Sequence, residues 1–238
     1  MKIFKIMLPV IAFLAVGTAW ANDDKTNNLD DENRNYYDAC VNNNKASACR
    51  ELAYLLLREG EANAPKVVTY IEKACNLNDA ESCNNIGFLY MTGNIVKQDY
   101  KKANTYYEKA CNLNDGDGCY NLGNSYKDGQ GVKQDYKKAK SYYEKACNLD
   151  EGIGCNNLGM VYKNGLGLRQ NTSVAVSYFE KGCSLKESLA CGNLGELYEK
   201  GDGVRQNKTT AKEYYGKVCD LGNQEGCDNY RKLNEQGY

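Results

Sequence analysis

Cysteines recur at a fixed step of 36 residues along most of this chain. Two series follow the same step, one beginning at Cys75 and the other at Cys83. A fixed period of roughly 20 to 50 residues is typical of stacked repeats, in which each unit buries its apolar surface against its neighbours. The step therefore predicts a linear array of similar units. The first series is Cys75, Cys111, Cys147, Cys183 and Cys219, and the second is Cys83, Cys119, Cys155, Cys191 and Cys227.

Each repeat carries two helical patterns. In the first, Cys119, Leu122 and Tyr126 lie on one helix face, at i, i+3 and i+7, and a glycine occupies i+4. The second pattern begins at Tyr136, directly after Asp135, a residue type suited to capping the start of a helix. The sequence therefore predicts one pair of helices per repeat and an all-α fold.

The glycine of the first pattern occupies the same position in four repeats. Glycine inside a helix costs about 1 kcal/mol relative to alanine, so its recurrence predicts that another helix passes too close for a larger side chain. A Gly-x-Gly turn, such as Gly129 to Gly131, then separates the helices and supplies the left-handed residue that ends the first one. No strand pattern precedes these turns, which argues against a nucleotide phosphate loop. The four helical glycines are Gly87, Gly123, Gly159 and Gly195.

Residues 1–21 have the features of a secretory signal peptide. Lys2 and Lys5 precede an apolar run, and a small-x-small cleavage sequence ends at Ala21. An uncleaved anchor is the alternative, but the run is short for a bilayer of about 30 Å. We therefore expect an exported protein, periplasmic or secreted, without a permanent membrane anchor. Residues 22–32 are polar and acidic, and they are predicted to form a disordered lead-in.

All twelve cysteines follow the signal peptide, and an even number in an exported chain indicates a disulfide framework. Partners eight or nine residues apart across a short link would face each other on adjacent walls of a helical hairpin. Zinc is the competing use of thiolates, but zinc sites favour closer cysteine pairs, usually with histidine, and the chain has no histidine. The predicted bridges are Cys40–Cys49, Cys75–Cys83, Cys111–Cys119, Cys147–Cys155, Cys183–Cys191 and Cys219–Cys227.

The predicted architecture is one α/α solenoid over residues 33–236, with about six disulfide-bridged hairpins and atypical hairpins at both ends. The 30 basic and 31 acidic residues include no basic block that could follow a phosphate backbone, so nucleic acid is not an expected partner. No metal or other cofactor is predicted. The hairpins are expected at 33–58, 65–92, 99–128, 135–164, 171–200 and 207–236.

The repeat resembles the Sel1-like repeat, a relative of the tetratricopeptide repeat. The motifs C-x-N-L-G-x-x-Y-x-x-G-x-G-V and D-Y-x-K-A-x-x-Y-Y-E-K-A-C carry this resemblance. With paired cysteines in each repeat and an export signal, the chain is similar to the Helicobacter cysteine-rich proteins. That resemblance implies a right-handed superhelix, contact with host or envelope proteins, penicillin binding and slow β-lactam hydrolysis.

No sequence motif supports the β-lactam hydrolysis that the resemblance implies. No serine is followed by lysine three positions later, K-T-G and S-D-N are both missing from the sequence, and metallo-β-lactamase chemistry needs histidine. Catalytic residues therefore stay unassigned. A slow β-lactamase, with a β-lactam or a cell-wall-related small molecule as ligand, is the alternative to a scaffold that binds peptide or protein.

Asparagines in register with the repeat favour a binding scaffold for peptide or protein. In tetratricopeptide relatives the matching position faces a concave groove, and an amide offers both a donor and an acceptor to an extended ligand. Positions three residues further on differ between repeats, as expected for ligand choice. The alternative is that each asparagine bonds its own neighbouring helix. The predicted groove residues are Asn85, Asn121, Asn157 and Asn193, with Phe88, Asn124, Met160 and Glu196 at the variable positions.

Overall fold

The computed structural model describes residues 31–60 and 63–238, and this part of the chain forms twelve α-helices and no strand. The predicted signal peptide lies outside the described residues, as does the lead-in up to residue 30, whereas Asp31 and Glu32 lie in the first helix. The helices are α1 Asp31–Val41, α2 Ala46–Arg58, α3 Ala64–Asn76, α4 Ala80–Thr92, α5 Tyr100–Asn112, α6 Gly116–Asp128, α7 Tyr136–Asn148, α8 Gly152–Asn164, α9 Thr172–Ser184, α10 Ser188–Lys200, α11 Lys208–Asp220 and α12 Gln224–Glu235.

Each helix packs against the one before it and the one after it. The predicted all-α solenoid of helical hairpins is confirmed, and the six hairpins lie close to the expected bounds. Packing is most extensive between an even-numbered helix and the odd-numbered helix that follows it. None of the described helices combines the length and the apolar character that crossing a membrane requires.

The six predicted disulfides are all present. Each joins the last turn of an odd-numbered helix to the first turn of the next even-numbered helix, as Cys111 in α5 does with Cys119 in α6 at a Cα–Cα distance of 4.5 Å. Closing a loop of about nine residues stabilises the folded state by roughly 2.5 kcal/mol in the chain-entropy model. The bridges therefore reinforce a link of only three or four residues between helices.

Local sequence sets where the helices begin and end. The carboxylate of Asp135 accepts hydrogen bonds from the amides of Lys137 and Lys138, both at 3.0 Å, which confirms it as the cap of α7. Gly129 ends α6 with φ of 72°, a left-handed conformation that glycine adopts without steric cost. The link after each odd-numbered helix also contains a left-handed residue, such as Asn114 at φ 64°.

The recurrent helical glycine lies against an aromatic ring of the following helix. A Cβ at Gly123 would fall 2.6 Å from Cε1 of Tyr143, which is fully buried. The predicted close approach is therefore confirmed, and its cause is a ring that fills the space a side chain would occupy. The same arrangement pairs Gly87 with Tyr107, Gly159 with Phe179 and Gly195 with Tyr215.

The stack is curved, with the even-numbered helices on the inside. Helices α4, α6, α8 and α10 contact one another in sequence, whereas successive odd-numbered helices contact each other less. The odd-numbered row is bridged by long side chains: Nζ of Lys145 donates to the carbonyl oxygen of Cys111, and Nζ of Lys181 to that of Cys147, both at 2.7 Å. Closer spacing on the even-numbered side makes that side concave.

Candidate binding face

The predicted groove residues lie on the even-numbered helices, on the side turned away from the odd-numbered row. We call this surface the concave face. It consists of the outward sides of α4, α6, α8 and α10, and its eight predicted residues are all half-buried. By position they are Asn85 and Phe88, Asn121 and Asn124, Asn157 and Met160, and Asn193 and Glu196.

Side-chain amides form a ladder of hydrogen bonds across this face. Nδ2 of Asn121 donates to Oδ1 of Asn84 at 2.9 Å, and Nδ2 of Asn193 donates to Oδ1 of Asn156 at the same distance. Each bond joins an even-numbered helix to the previous one. Asn84 and Asn156 are nearly fully buried, so the ladder also satisfies polar groups that water cannot reach. Asn157 donates to Asn124 at 3.4 Å, and Asn85 donates to the hydroxyl of Tyr54 at 2.6 Å.

The asparagine ladder joins neighbouring helices and leaves some of its amide oxygens without a hydrogen bond from the described residues. The amide nitrogens of the predicted asparagines are used between helices, as the second interpretation of these residues proposes. The Oδ1 atoms of Asn85, Asn121 and Asn193 accept no hydrogen bond from any described residue. Within the described part of the chain, the concave face therefore presents a row of amide oxygens, which can accept hydrogen bonds from the backbone N–H groups of a ligand.

The variable positions differ in chemistry from one end of the face to the other. Phe88 and Met160 are apolar, whereas Oδ1 of Asn124 accepts a hydrogen bond from the hydroxyl of Tyr143 at 2.6 Å. Glu196 pairs with Lys200 and with Lys163, and these cations hold the pKa of its carboxyl below the usual value. Towards α10 the face also exposes Leu189, whose exposed fraction of 57% is the largest among the exposed large hydrophobic residues.

Acidic residues recur along one edge of the concave face, at the positions that precede α4, α6, α8 and α10. The cap carboxylate accepts a backbone hydrogen bond in three of them, as Asp115 does from the amide of Gly118 at 2.6 Å. Glu151 makes no such bond. The four residues, one every 36 positions, are Asp79, Asp115, Glu151 and Glu187. We call this row the acidic edge.

The carboxylates of the acidic edge are close enough to disfavour each other's charge. Burial raises the pKa of Asp115 to about 6, and the charges of Asp117, Glu81 and Asp79 add to the effect. Burial likewise raises the pKa of Glu151 to about 7, with contributions from Asp117, Asp115 and Glu187. Near neutral pH the edge is therefore a negative surface that is incompletely compensated.

One end of the acidic edge carries its own cation. Nη1 of Arg50 in α2 lies 2.6 Å from Oδ2 of Asp79 and 3.3 Å from Oε2 of Glu81. Glu81 also accepts a hydrogen bond from the hydroxyl of Tyr54, which connects the acidic edge to the asparagine ladder. Among the described residues, no lysine or arginine lies within 4 Å of the carboxyl oxygens of Asp115 or Glu151, and no acidic cluster is arranged to hold a metal ion.

Away from the concave face, stacked tyrosines join α4 to α5, α6 to α7, α8 to α9 and α10 to α11. Tyr126 and Tyr142 stack at 5.5 Å between ring centroids, and Nζ of Lys138 lies 5.0 Å from the centre of the Tyr126 ring. In an equivalent pair, the hydroxyls of Tyr90 and Tyr106 both donate to Glu72 of α3 at 3.0 Å. These aromatic groups are engaged in joining neighbouring repeats, so the concave face is the stronger candidate for a binding site.

The fold and the concave face together define a disulfide-bonded helical-repeat scaffold. The Sel1 repeat model matches residues 46–79, 80–115, 116–151, 152–186 and 188–223. The chain belongs to the Sel1 repeat family. Each family repeat pairs an even-numbered helix with the odd-numbered helix that follows it, so four of the disulfides, those from Cys75–Cys83 to Cys183–Cys191, join one matched repeat to the next.

Solved structures show the same architecture. The chain is similar to a Sel1 repeat protein from Oxalobacter formigenes, with 21% identity, 85% of this chain and 93% of that chain covered, and a TM-score of 0.73. It is also similar to a protective antigen of uropathogenic Escherichia coli, with 22% identity, 83% and 50% covered, and a TM-score of 0.67.

The chain is also similar to a solved member of the Helicobacter cysteine-rich proteins, the group that its cysteine-containing repeats resemble. The chain is 36% identical to cysteine rich protein B of Helicobacter pylori over 57% of this chain and 98% of that chain, with a TM-score of 0.46. No curated protein matches the chain.

Proposed function

We propose that this protein is an exported binding scaffold that holds an extended peptide, or an extended segment of a protein, along the concave face. The observation that carries the proposal is that Asn85, Asn121 and Asn193 present open amide oxygens from the same position of α4, α6 and α10. On α8 the equivalent oxygen, Oδ1 of Asn157, accepts a hydrogen bond from Asn156 at 3.4 Å. An extended ligand presents backbone N–H groups at regular intervals, so a periodic acceptor row suits it better than it suits a compact small molecule.

The surroundings of the row support a protein ligand. The variable positions offer apolar contacts at Phe88 and Met160 and a carboxylate at Glu196, which would select among side chains. Concave surfaces of repeat arrays are extended and suited to such ligands. The six disulfides indicate an oxidising compartment outside the cytoplasm, and export through a cleaved signal at residues 1–21 remains our proposal for how the chain reaches it.

Penicillin binding and β-lactam hydrolysis are the alternative suggested by the resemblance. The fold identifies no residue, among those described, that would carry out either of them. All twelve cysteines are disulfide-bonded, which removes thiolate nucleophiles, and the chain contains no histidine. Hydrolysis of nitrocefin by contaminant-free protein, lost on a point substitution in the concave face, would be the result that favours the enzyme.

A selected peptide library tests the binding proposal. Random dodecapeptides displayed on phage would be selected on the oxidised protein, and synthetic copies measured by fluorescence anisotropy. We expect Phe88→Arg and Met160→Arg to weaken binding at least tenfold, because each places a bulky charge on the concave face.

The matched controls are Thr105→Arg and Ser141→Arg, which add the same side chain to exposed positions of α5 and α7. They should change affinity less than twofold. Equal binding by wild type and by concave-face variants of unchanged melting temperature would contradict the proposal.

A further inference from the structure

The acidic edge has a repeat distance that an extended peptide can match. Successive even-numbered helices contact each other, which implies a separation of about 10 Å between helix axes. An extended chain in the polyproline II conformation advances about 3.1 Å per residue and has three residues per turn. Three residues therefore span about one repeat, and every third side chain lies on the same face of the segment. A side chain at every third position of a bound segment would therefore meet successive acidic positions, such as Asp115 and then Glu151.

Arg50 shows how a cation sits on this edge. Its guanidinium contacts the cap carboxylate of α4, Asp79, at 2.6 Å and Glu81 in the first turn of the same helix at 3.3 Å. The next helix of the edge has the equivalent cap carboxylate, because Asp115 caps α6. Where α2 supplies Arg50, the corresponding positions of α4 and α6 are Asn84 and Tyr120, which carry no charge.

We propose that the segment bound along α4, α6 and α8 is an extended basic peptide, with lysine or arginine at about every third residue, whose cations sit on the cap carboxylates of successive repeats as Arg50 sits on Asp79. This inference rests on the proposed function and specifies its ligand class. Charge complementarity supports this inference, because the edge concentrates carboxylates from neighbouring repeats. Among the described residues, Arg50 at one end is the only lysine or arginine with a side-chain nitrogen within 3 Å of a cap carboxylate oxygen of the edge.

The acidic edge and the asparagine ladder would recognise different parts of the bound segment. Glu81 is hydrogen-bonded through Tyr54 to Asn85, so the two rows lie side by side on the same helices. The amide oxygens would accept from the backbone of the segment at any sequence, whereas the carboxylates would select its side chains. Basic character of the ligand is therefore a specificity determinant that is separable from binding itself.

Synthetic twelve-residue peptides test the proposal with the full oxidised protein. One peptide carries lysine at every third position in a background of serine and threonine. A second has the same composition with the lysines adjacent, and a third replaces every lysine with glutamine. Fluorescence anisotropy at low ionic strength should show the spaced lysine peptide binding at least tenfold more tightly than the glutamine peptide, and several-fold more tightly than the clustered one.

Neutralising the edge supplies the second arm. Asp115→Asn with Glu151→Gln should weaken the spaced lysine peptide at least tenfold and leave the glutamine peptide within twofold. The matched control is Asp202→Asn with Glu213→Gln, which removes two exposed carboxylates from a turn and from α11 and changes the net charge equally. It should change affinity for the lysine peptide less than threefold.

The pH dependence adds an independent signature. Protonation of Asp115 and Glu151 removes the charges that attract lysine, so affinity for the spaced peptide should fall between pH 8 and pH 5.5. Asp79, Glu81, Asp117 and Glu187 are the charged groups that face these two carboxyls. The doubly neutralised variant should lose most of the pH dependence.

The outcomes separate this inference from the proposed function. If the glutamine peptide binds as well as the spaced lysine peptide, and Met160→Arg weakens both, the concave face binds peptides but has no preference for basic ones, and the inference is wrong. If no peptide in the series binds, and phage selection also yields none, the proposed function fails and takes the inference with it.

Discussion

At the residue scale, the cap of α6 combines two opposed effects. The carboxylate of Asp115 accepts a hydrogen bond from the amide of Gly118, which satisfies a free backbone donor at the start of the helix. Its charge is at the same time partly buried and close to the carboxylates of Asp117, Glu81 and Asp79. A side chain with the same shape and no charge would keep the first effect and lose the second.

Asp115→Asn should therefore stabilise the protein at neutral pH. The pKa of this carboxyl rises from an ordinary value of 3.8 to about 6 on folding, so the folded state binds more protons than the unfolded state between these values. Stability consequently falls as the pH rises from about 4 to about 7. At pH 7.5 the substitution should raise the free energy of unfolding by roughly 2 kcal/mol, and at pH 4 it should change little.

Urea unfolding at the two pH values measures this difference. Asp135→Asn is the control, because it makes the same change at the cap of an odd-numbered helix, outside the acidic edge. A loss of stability at pH 7.5, or an equal gain at both pH values, would show that the charge of Asp115 is not unfavourable in the folded protein.

At the element scale, the position of one glycine decides how closely two helices pack. A Cβ added at Gly123 would meet the ring of Tyr143. A Cβ added at Gly192 in α10 would have only one atom outside its own helix within 4 Å, Cγ2 of Val218 at 4.0 Å. Both glycines lie inside helices, where alanine is intrinsically favoured by about 1 kcal/mol. The two positions therefore predict opposite results for the same substitution.

Gly123→Ala should lower the free energy of unfolding by about 1 to 3 kcal/mol, because the ring of Tyr143 must move. Gly192→Ala should raise it by up to about 1 kcal/mol. Combining Gly123→Ala with Tyr143→Leu should show a favourable coupling energy, since the smaller side chain leaves room for the methyl group. Destabilisation of equal size at both glycines would mean that steric contact with the ring is not the reason why glycine recurs at this helix position.

Elements were predictable from the sequence wherever the evidence is local. Cys111 and Cys119 lie eight residues apart across one short link, so their spacing alone defined a hairpin and its disulfide. The glycine at position 123 likewise predicted a close neighbour, but it did not show that this neighbour is the ring of Tyr143. Asp135 was recognisable as a cap because capping depends on the next three residues only.

Contacts between repeats were less accessible to sequence reasoning. The bond from Lys145 to the carbonyl of Cys111 joins residues 34 apart and depends on the rotation between successive repeats. The acidic edge has a sequence signal, an acidic residue every 36 positions, but its meaning depends on curvature, which brings Asp115 and Glu151 within reach of each other's charge. The sequence predicted a role for Asn121 from its position in the repeat, whereas its hydrogen-bond partner Asn84, 37 residues away, was not identified.

At the scale of the whole molecule, the array is linked covalently only between sequence neighbours. Each disulfide joins one odd-numbered helix to the next even-numbered helix, so no bridge joins two even-numbered helices or two odd-numbered helices. Curvature is therefore maintained by non-covalent contacts, with the amide ladder on the concave side and lysine–carbonyl bonds on the other. Such an array presents a long, preformed surface, which reduces the entropy lost when an extended ligand binds.

Site-specific photo-cross-linking tests the central claim, that ligand binds on the concave face, most directly. A benzophenone side chain would replace Met160 on the concave face or Lys137 on the exposed side of α7, in the full oxidised protein with a peptide selected for binding. We predict a cross-link from position 160 that excess unlabelled peptide abolishes, and none from position 137. A cross-link from position 137, with position 160 silent although peptide affinity is unchanged, would contradict the account.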